Sequence, residues 1–106
     1  MTEKTIVLTT AASKEEAQKI ARALVERHAA ACVNIVGPME SMYWWKGKLE
    51  TSSEHLLIVK TMADALDTVQ KIVREMHTYE LFEFLVLGIE AGNREYMQWI
   101  ESCVRC

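Results

Sequence analysis

Residues 31–61 read ACVNIVGPMESMYWWKGKLETSSEHLLIVKT. Two strand-like runs flank the turn Lys46-Gly47-Lys48. The first, Ala31 to Trp45, is interrupted only at Gly37-Pro38, and the second is nearly continuous from Leu49 to Thr61. Strands usually run about 5–6 residues, so each run is too long for the body that the rest of the chain can build. A hairpin arm that outreaches its domain leaves ladder N–H and C=O groups in need of partners. Tyr43, Trp44 and Trp45 crowd its tip, and one subunit cannot hide rings on both faces of an arm. The arm therefore predicts a second copy of the chain as its cover. Alternation divides the residues between two faces. Met39, Ser41, Tyr43 and Trp45 oppose Glu40, Met42 and Trp44; beyond the turn, Glu54, Leu56, Ile58 and Lys60 oppose His55, Leu57 and Val59.

Outward from the arm, the β-branched run Thr5–Thr10 predicts a central strand. Ser13 and Glu16 have the spacing of a helix-capping box. Ala17, Ile20, Ala21, Leu24, Val25 and His28 follow as one apolar stripe. After the arm, Met62, Ala65, Leu66, Val69, Ile72, Val73 and Met76 make a second helical stripe that ends near His77. Phe82–Leu87 reads as a fourth strand, apolar apart from Glu83 and so expected to be covered on both faces. Gly92-Asn93 ends it, and a short last helix presents Tyr96, Trp99, Ile100 and Cys103 on one face. The order is βαββαβ with a terminal helix. Right-handed crossovers then require one antiparallel sheet with both long helices on one face. The fold class is α+β, a ferredoxin-like sandwich with an extended hairpin, in one domain over residues 1–106.

Half of the 106 residues are apolar and the net charge is −3. That balance provides a core and argues against a nucleic-acid binder, which carries a basic face. No signal-peptide pattern opens the sequence, and no apolar run approaches the ~20 residues of a membrane span. The expectation is a cytoplasmic protein without membrane or nucleic-acid partners. Three cysteines do not suggest a disulfide framework. Cys32 reads as a small buried hydrophobe. Cys103 and Cys106 form C-x-x-C at the chain end, where they are expected to be dispensable.

The sharpest polar cluster is His77-Thr78-Tyr79-Glu80, which offers an imidazole, a phenol and a carboxylate within four residues. Its bland reading is a helix end where His77 caps carbonyls. Glu54, Lys60 and Glu83 are charges inside apolar strands, each either at a wet edge or in a polar cleft, since buried charge needs a partner. Asn34 poses the same choice. No H-E-x-x-H, P-loop or G-x-G-x-x-G is present. No nucleophile, base and orienter assemble, so no enzyme is expected.

Taken together, A-A-C-V-N-I-V, S-M-Y-W-W-K-G-K, E-H-L-L-I-V-K-T, H-T-Y-E and G-N-R-E-Y-M-Q-W-I resemble the CutA divalent-cation tolerance family over nearly the whole chain. The resemblance implies a tight homotrimer, PII-like in architecture, whose hairpins pair across subunits. It further implies a role in tolerance of copper or other divalent cations, none of them required for the fold. The family pattern H-P-Y-E-x-P-E has prolines at the positions of Thr78 and Phe82, and often at that of Gly88; this chain has none of the three. Of the residues proposed to bind copper, Thr9 and Met76 stand where some members have Cys and His, so only His77 carries over. At the subunit clefts the candidate metal ligands are His77 and Cys32, soft or borderline, and Glu80, hard. The candidate cleft residues are Asn34, Trp45, Glu54, Lys60, Tyr79 and Glu83. A PII-like signalling or scaffold trimer that binds a small molecule or a partner protein at the same subunit clefts is the competing reading.

Overall fold

The computed structural model describes residues 2–105. Eight elements follow in order: β1 (Lys4–Ala11), α1 (Lys14–Glu26), β2 (Cys32–Trp45), β3 (Lys48–Met62), a 3-10 turn (Ala63–Ala65), α2 (Leu66–Met76), β4 (Leu85–Gly88) and α3 (Arg94–Cys103). The strands form one four-stranded sheet in the order β2-β3-β1-β4, with each neighbouring pair antiparallel. The expected mixed α+β chain is therefore observed, and β2 and β3 are its longest strands, at 14 and 15 residues.

Residues facing each other across a ladder share a face. Val7, paired with Val59 and Val86, lies on the face that carries the core. Ala17, Ile20 and Leu24 of α1 and Val69, Ile72 and Val73 of α2 close over Val7, Leu57 and Val59, all completely buried. Thr61 shares this face and is also fully buried; its hydroxyl donates to the Ala29 carbonyl at 2.6 Å. The opposite face carries Ile6, Leu8, Leu56 and Ile58, only half-buried. α3 covers one end of it, where Ile100 packs on Met62 and Ala31 and Lys4 pairs with Glu101 at 3.1 Å.

The Ser13 hydroxyl accepts from the Glu16 N–H at 3.1 Å, half of the expected capping box. The Glu16 carboxylate reaches past Ser13 to accept from the Ala12 N–H at 2.9 Å instead. The hairpin turn is shorter than read: Trp45 pairs with Lys48, and Lys46-Gly47 alone turns the chain with φ of 50° and 78°. Two residues with positive φ are what the twist of a tight hairpin requires, and Gly supplies one without strain.

Gly37-Pro38 forms a bulge, with ladder pairing passing from Val36↔Leu56 to Met39↔Glu54. One extra residue in β2 changes the side-chain parity along the strand. Met39, Ser41, Tyr43 and Trp45 thereby join Cys32, Asn34 and Val36 on the half-open face. A Cβ at Gly37 would stand 2.8 Å from Cδ2 of His55, so glycine permits that close approach.

Other expectations are corrected. Met62 ends β3 instead of opening a helix; its partner in the sheet is Lys4. His28 does not extend the α1 stripe. The helix ends at Glu26, and His28, at φ 58°, is exposed with its Nδ1 3.2 Å from the Cys103 carbonyl. In α3 the inward residues are Met97, Ile100 and Cys103, while Tyr96 and Trp99 form an exposed ring pair 5.4 Å apart. The fourth strand begins at Leu85 and is not covered within the chain: Leu85, Val86 and Leu87 are all about half exposed. Phe82 and Phe84 instead pack against the edge of the helix-covered core. Cys106, the second cysteine of the C-x-x-C pair, lies outside the described residues.

Candidate functional site

β1 and the segment after α2 meet at the base of the arm. His77 is the residue after α2, and its extended backbone turns its ring away from the helix carbonyls. Its Nε2 lies 2.6 Å from the Thr10 carbonyl, and its Nδ1 accepts from the Tyr79 N–H at 3.0 Å. These partners fix the tautomer, since a nitrogen facing a carbonyl carries the proton and one facing an N–H offers its lone pair. The bland capping role is thus replaced by a brace between β1 and residues 77–79. Phe82 stacks on the same imidazole at 5.2 Å, and the Arg74 guanidinium lies 5.3 Å from the Phe82 ring centre.

Thr78 is anchored from the other side. Its N–H donates to Oε2 of Glu16 at 2.9 Å, a bond that proline at this position could not make. Glu16 therefore ties the start of α1 to the segment after α2. Burial works to raise its pKa, but hydrogen bonds from the Thr78 side chain and from the Ala12 and Thr78 N–H groups, with the nearby His77, outweigh it and lower the pKa. Farther along, the Thr9 hydroxyl donates to the Glu83 carbonyl at 2.6 Å, which holds the segment to β1 before the β4 ladder begins.

Between this segment and the arm lies a cleft of about 740 Å³. The arm contributes Ser41, Tyr43, Trp45 and Glu54 from the face that the bulge selects, and Met42 and Trp44 from the opposite face. Tyr79, Glu80, Phe82 and Glu83 form the other wall. Glu54 is buried, with 8% of its surface exposed, and its Oε2 accepts from the Tyr79 hydroxyl at 3.0 Å. Burial pushes the Tyr79 pKa up to about 12, helped by that hydrogen bond and by the Glu54 charge. Glu83 is raised as well, by burial first and by repulsion from Glu54 second. The ion pairs among the described residues leave out Glu54, Glu80 and Glu83. The cleft is therefore acidic and walled by aromatic rings, with the Lys46 ammonium 5.7 Å from the Trp45 ring centre.

The sequence-derived candidates fall into two groups. Trp45, Glu54, Tyr79, Glu80 and Glu83 line the cleft, and His77 braces it from behind. Cys32, Asn34 and Lys60 lie elsewhere on the same sheet face. Cys32 pairs with Lys60 across the ladder, Lys60 donates to the Asn34 side-chain oxygen, and the Cys32 thiol is 3.9 Å from that oxygen. Cys32 is half-buried, not enclosed. Lys60 is four ladder positions from Leu56, the partner of Thr10, which is about 13 Å along a strand. Cys32 and His77 consequently do not converge, and among the described residues no three His, Cys, Asp or Glu side chains gather as ligands for one ion.

Sequence reasoning missed Glu16, Thr10 and Tyr43. Glu16 carried a complete local explanation as a cap. Tyr43 could be placed on the Glu54 face only once the parity change at the bulge was known.

The profile of the CutA1 divalent ion tolerance protein family matches residues 5–103. The divalent-cation tolerance protein CutA of Thermus thermophilus is 44% identical over 92% of this chain and 94% of its own length. Human protein CutA is 42% identical over 88% of this chain but 52% of its own length, and the rice chloroplastic protein CutA 1 is 39% identical over 94% and 56%. The chain thus spans about half the length of these animal and plant relatives. The solved Thermus thermophilus divalent cation tolerance protein superposes with a TM-score of 0.94 at 41% identity, covering 96% of this chain and 99% of that one. A CutA of Archaeoglobus fulgidus, described as a periplasmic divalent cation tolerance protein, gives 0.93 at 39% identity over 96% and 99%. With the match spanning all four strands and all three helices, the chain belongs to the CutA1 divalent ion tolerance protein family.

Proposed function

We propose that this chain acts without catalysis, as a cytoplasmic homotrimer of ferredoxin-like, PII-like subunits in divalent-cation tolerance, with the acidic cleft at the base of the arm as its ligand site. The observation that carries the reading is the buried Glu54 carboxylate, in a cleft that Glu80 and Glu83 also line, with no ion pair to any of the three among the described residues. Buried negative charge is costly without a positive partner, so a cleft built this way favours a cation. The half-open sheet face, the apolar β4 and the exposed arm tip support assembly, because such surfaces are the usual mark of an interface. Three copies arranged around that face would also add walls to each cleft.

Copper or another divalent ion is the first candidate ligand. Glu54, Glu80 and Glu83 are the carboxylates that would meet it, and His77 joins only if its Nδ1 releases the Tyr79 N–H. A small-molecule ligand is the second candidate, favoured by the aromatic walls and by the lack of a convergent ligand set among the described residues. Calorimetric titration of the assembled protein with copper, zinc and calcium, beside His77→Ala and Glu54→Gln, tests the first. Tight binding that Glu54→Gln abolishes would support a metal in the cleft. Unchanged binding in both variants would put the metal elsewhere.

A further inference from the structure

We infer that His28, Cys103 and Cys106 form a site for a thiophilic divalent ion of the zinc type, separate from the cleft. On sequence alone the C-x-x-C pair is expected to be dispensable, because two thiols lack the further donors of a zinc site. The fold supplies one. α3 ends at Cys103, where Val104 turns into extended backbone and packs against Ala31, Met62 and Ile100. The Arg105 N–H then donates to the His28 carbonyl at 2.7 Å. Residues 104 and 105 are therefore docked on the loop that follows α1. Cys106 is the next residue in the sequence. Neighbouring Cα atoms are about 3.8 Å apart, so connectivity alone keeps its thiol within reach of His28.

His28 is oriented as a metal ligand is. It stands at φ 58°, a conformation that glycine usually fills after a helix and that other residues enter at a cost. Its Nδ1 lies 3.2 Å from the Cys103 carbonyl. A ring nitrogen facing a carbonyl carries the proton, which leaves the Nε2 lone pair open on an exposed side chain. Metal-binding histidines are held in this way, with the second N–H on a carbonyl or carboxylate. Capping the end of α3 accounts for Nδ1 and leaves Nε2 unused. The loop beneath is fixed: Ala29 and Ala30 are buried, and both N–H groups donate to the Leu24 carbonyl. Cys103 carries the bonded carbonyl and, a few bonds away, a half-buried free thiol. Two thiolates and an imidazole suit zinc with water in its fourth position, whereas magnesium and calcium prefer oxygen. His28 and Cys103 are two donors, and no group of three is found among the described residues; Cys106 is the third. The site lies at the Met62 end of the sheet. Lys4, the partner of Met62, is about 20 Å along the strand from Thr10, behind the cleft.

The test uses the intact assembled protein with its thiols kept reduced, titrated with cobalt chloride and then with zinc chloride. One cobalt ion per chain with thiolate-to-cobalt charge-transfer absorption is expected, and zinc should displace it. That absorption reports thiolate ligation and so is silent on the cleft carboxylates. Cys106→Ser should abolish it while leaving the mass and melting temperature of the metal-free protein unchanged. Cys103→Ser, at a half-buried position, is the more severe second variant and should abolish it too. Loss of a residue that merely orients a ligand costs metal sites about 10–100-fold in affinity, so His28→Ala should weaken zinc by at least about tenfold. Cobalt bound without the charge-transfer absorption, or with that absorption intact in Cys106→Ser, would overturn the site. So would undiminished affinity in His28→Ala, or one metal ion per two chains, the mark of thiols bridging copies.

Discussion

The two faces of the sheet are built from the same strands and end in opposite conditions. On one, Val7 of β1 and Leu57 and Val59 of β3 are completely buried beneath α1 and α2. On the other, Ile6, Leu8, Leu56 and Ile58 stay half-buried, and Val36, Leu85 and Leu87 are about half exposed. α3 is too short to cover more than the Met62 end. The chain thus completes one core by itself and leaves a second one half-made. The cleft sits at the margin of the unfinished face, where Glu54 and the arm rings leave the sheet.

The largest effect should come from the unfinished face. Sedimentation equilibrium at micromolar concentration should give about three times the 12.1 kDa chain mass, and Trp45→Ala should shift the protein toward smaller species and lower its melting temperature strongly. Removing a packed Trp costs about 3–5 kcal/mol, and a trimer loses three at once. A monomeric parent protein would break the comparison, since the open face would then tolerate water.

Next is the sealed face. Leu57→Ala leaves a cavity beneath α1 and α2 and should cost about 2–5 kcal/mol, measured by denaturant unfolding. The loss should appear as a lower midpoint with assembly retained at low denaturant. Dissociation before unfolding would show that the two faces are coupled.

A smaller, pH-dependent effect should come from Glu16, which joins α1 to the segment behind the cleft. Its folded pKa is lowered, so its contribution is full above the unfolded value and is lost as pH falls through the folded one. The stability difference between the parent and Glu16→Gln should therefore be constant near neutrality and shrink on acidification below the ordinary glutamate range. A difference that grows on acidification would contradict the assigned hydrogen bonds.

The smallest effect sharpens the contrast from outside it. Lys14→Ala, on the exposed side of α1, should change stability by less than about 0.5 kcal/mol and leave mass and ligand response unchanged. A drop as large as that of Trp45→Ala would mean that Trp45 is not packed in the assembly.

How the chain would divide between these faces was partly written in its residues. Periodicity alone determined the strands around Val7 and Val59, the α1 stripe through Ile20 and Leu24, the end of α2 at Met76 and the long arm, because each is a local pattern repeated over many residues. The acidic and aromatic composition around Tyr79 was legible in the same way. Tertiary structure decided the rest. Beyond Gly37-Pro38 a single bulged residue changed the parity that sets Tyr43 and Trp45 beside Glu54, and no local pattern states how a bulge is accommodated. Met62 matched a helical stripe, yet pairing with Lys4 kept it in β3. Phe82 and Glu83 looked like strand, but Thr9, Thr10 and His77 hold that segment off the ladder. Cys32 and His77, both candidate metal ligands, stand apart because register fixes their distance along the sheet. Local sequence determines which elements form; where two elements meet depends on contacts between residues far apart in the chain, and those contacts built this cleft.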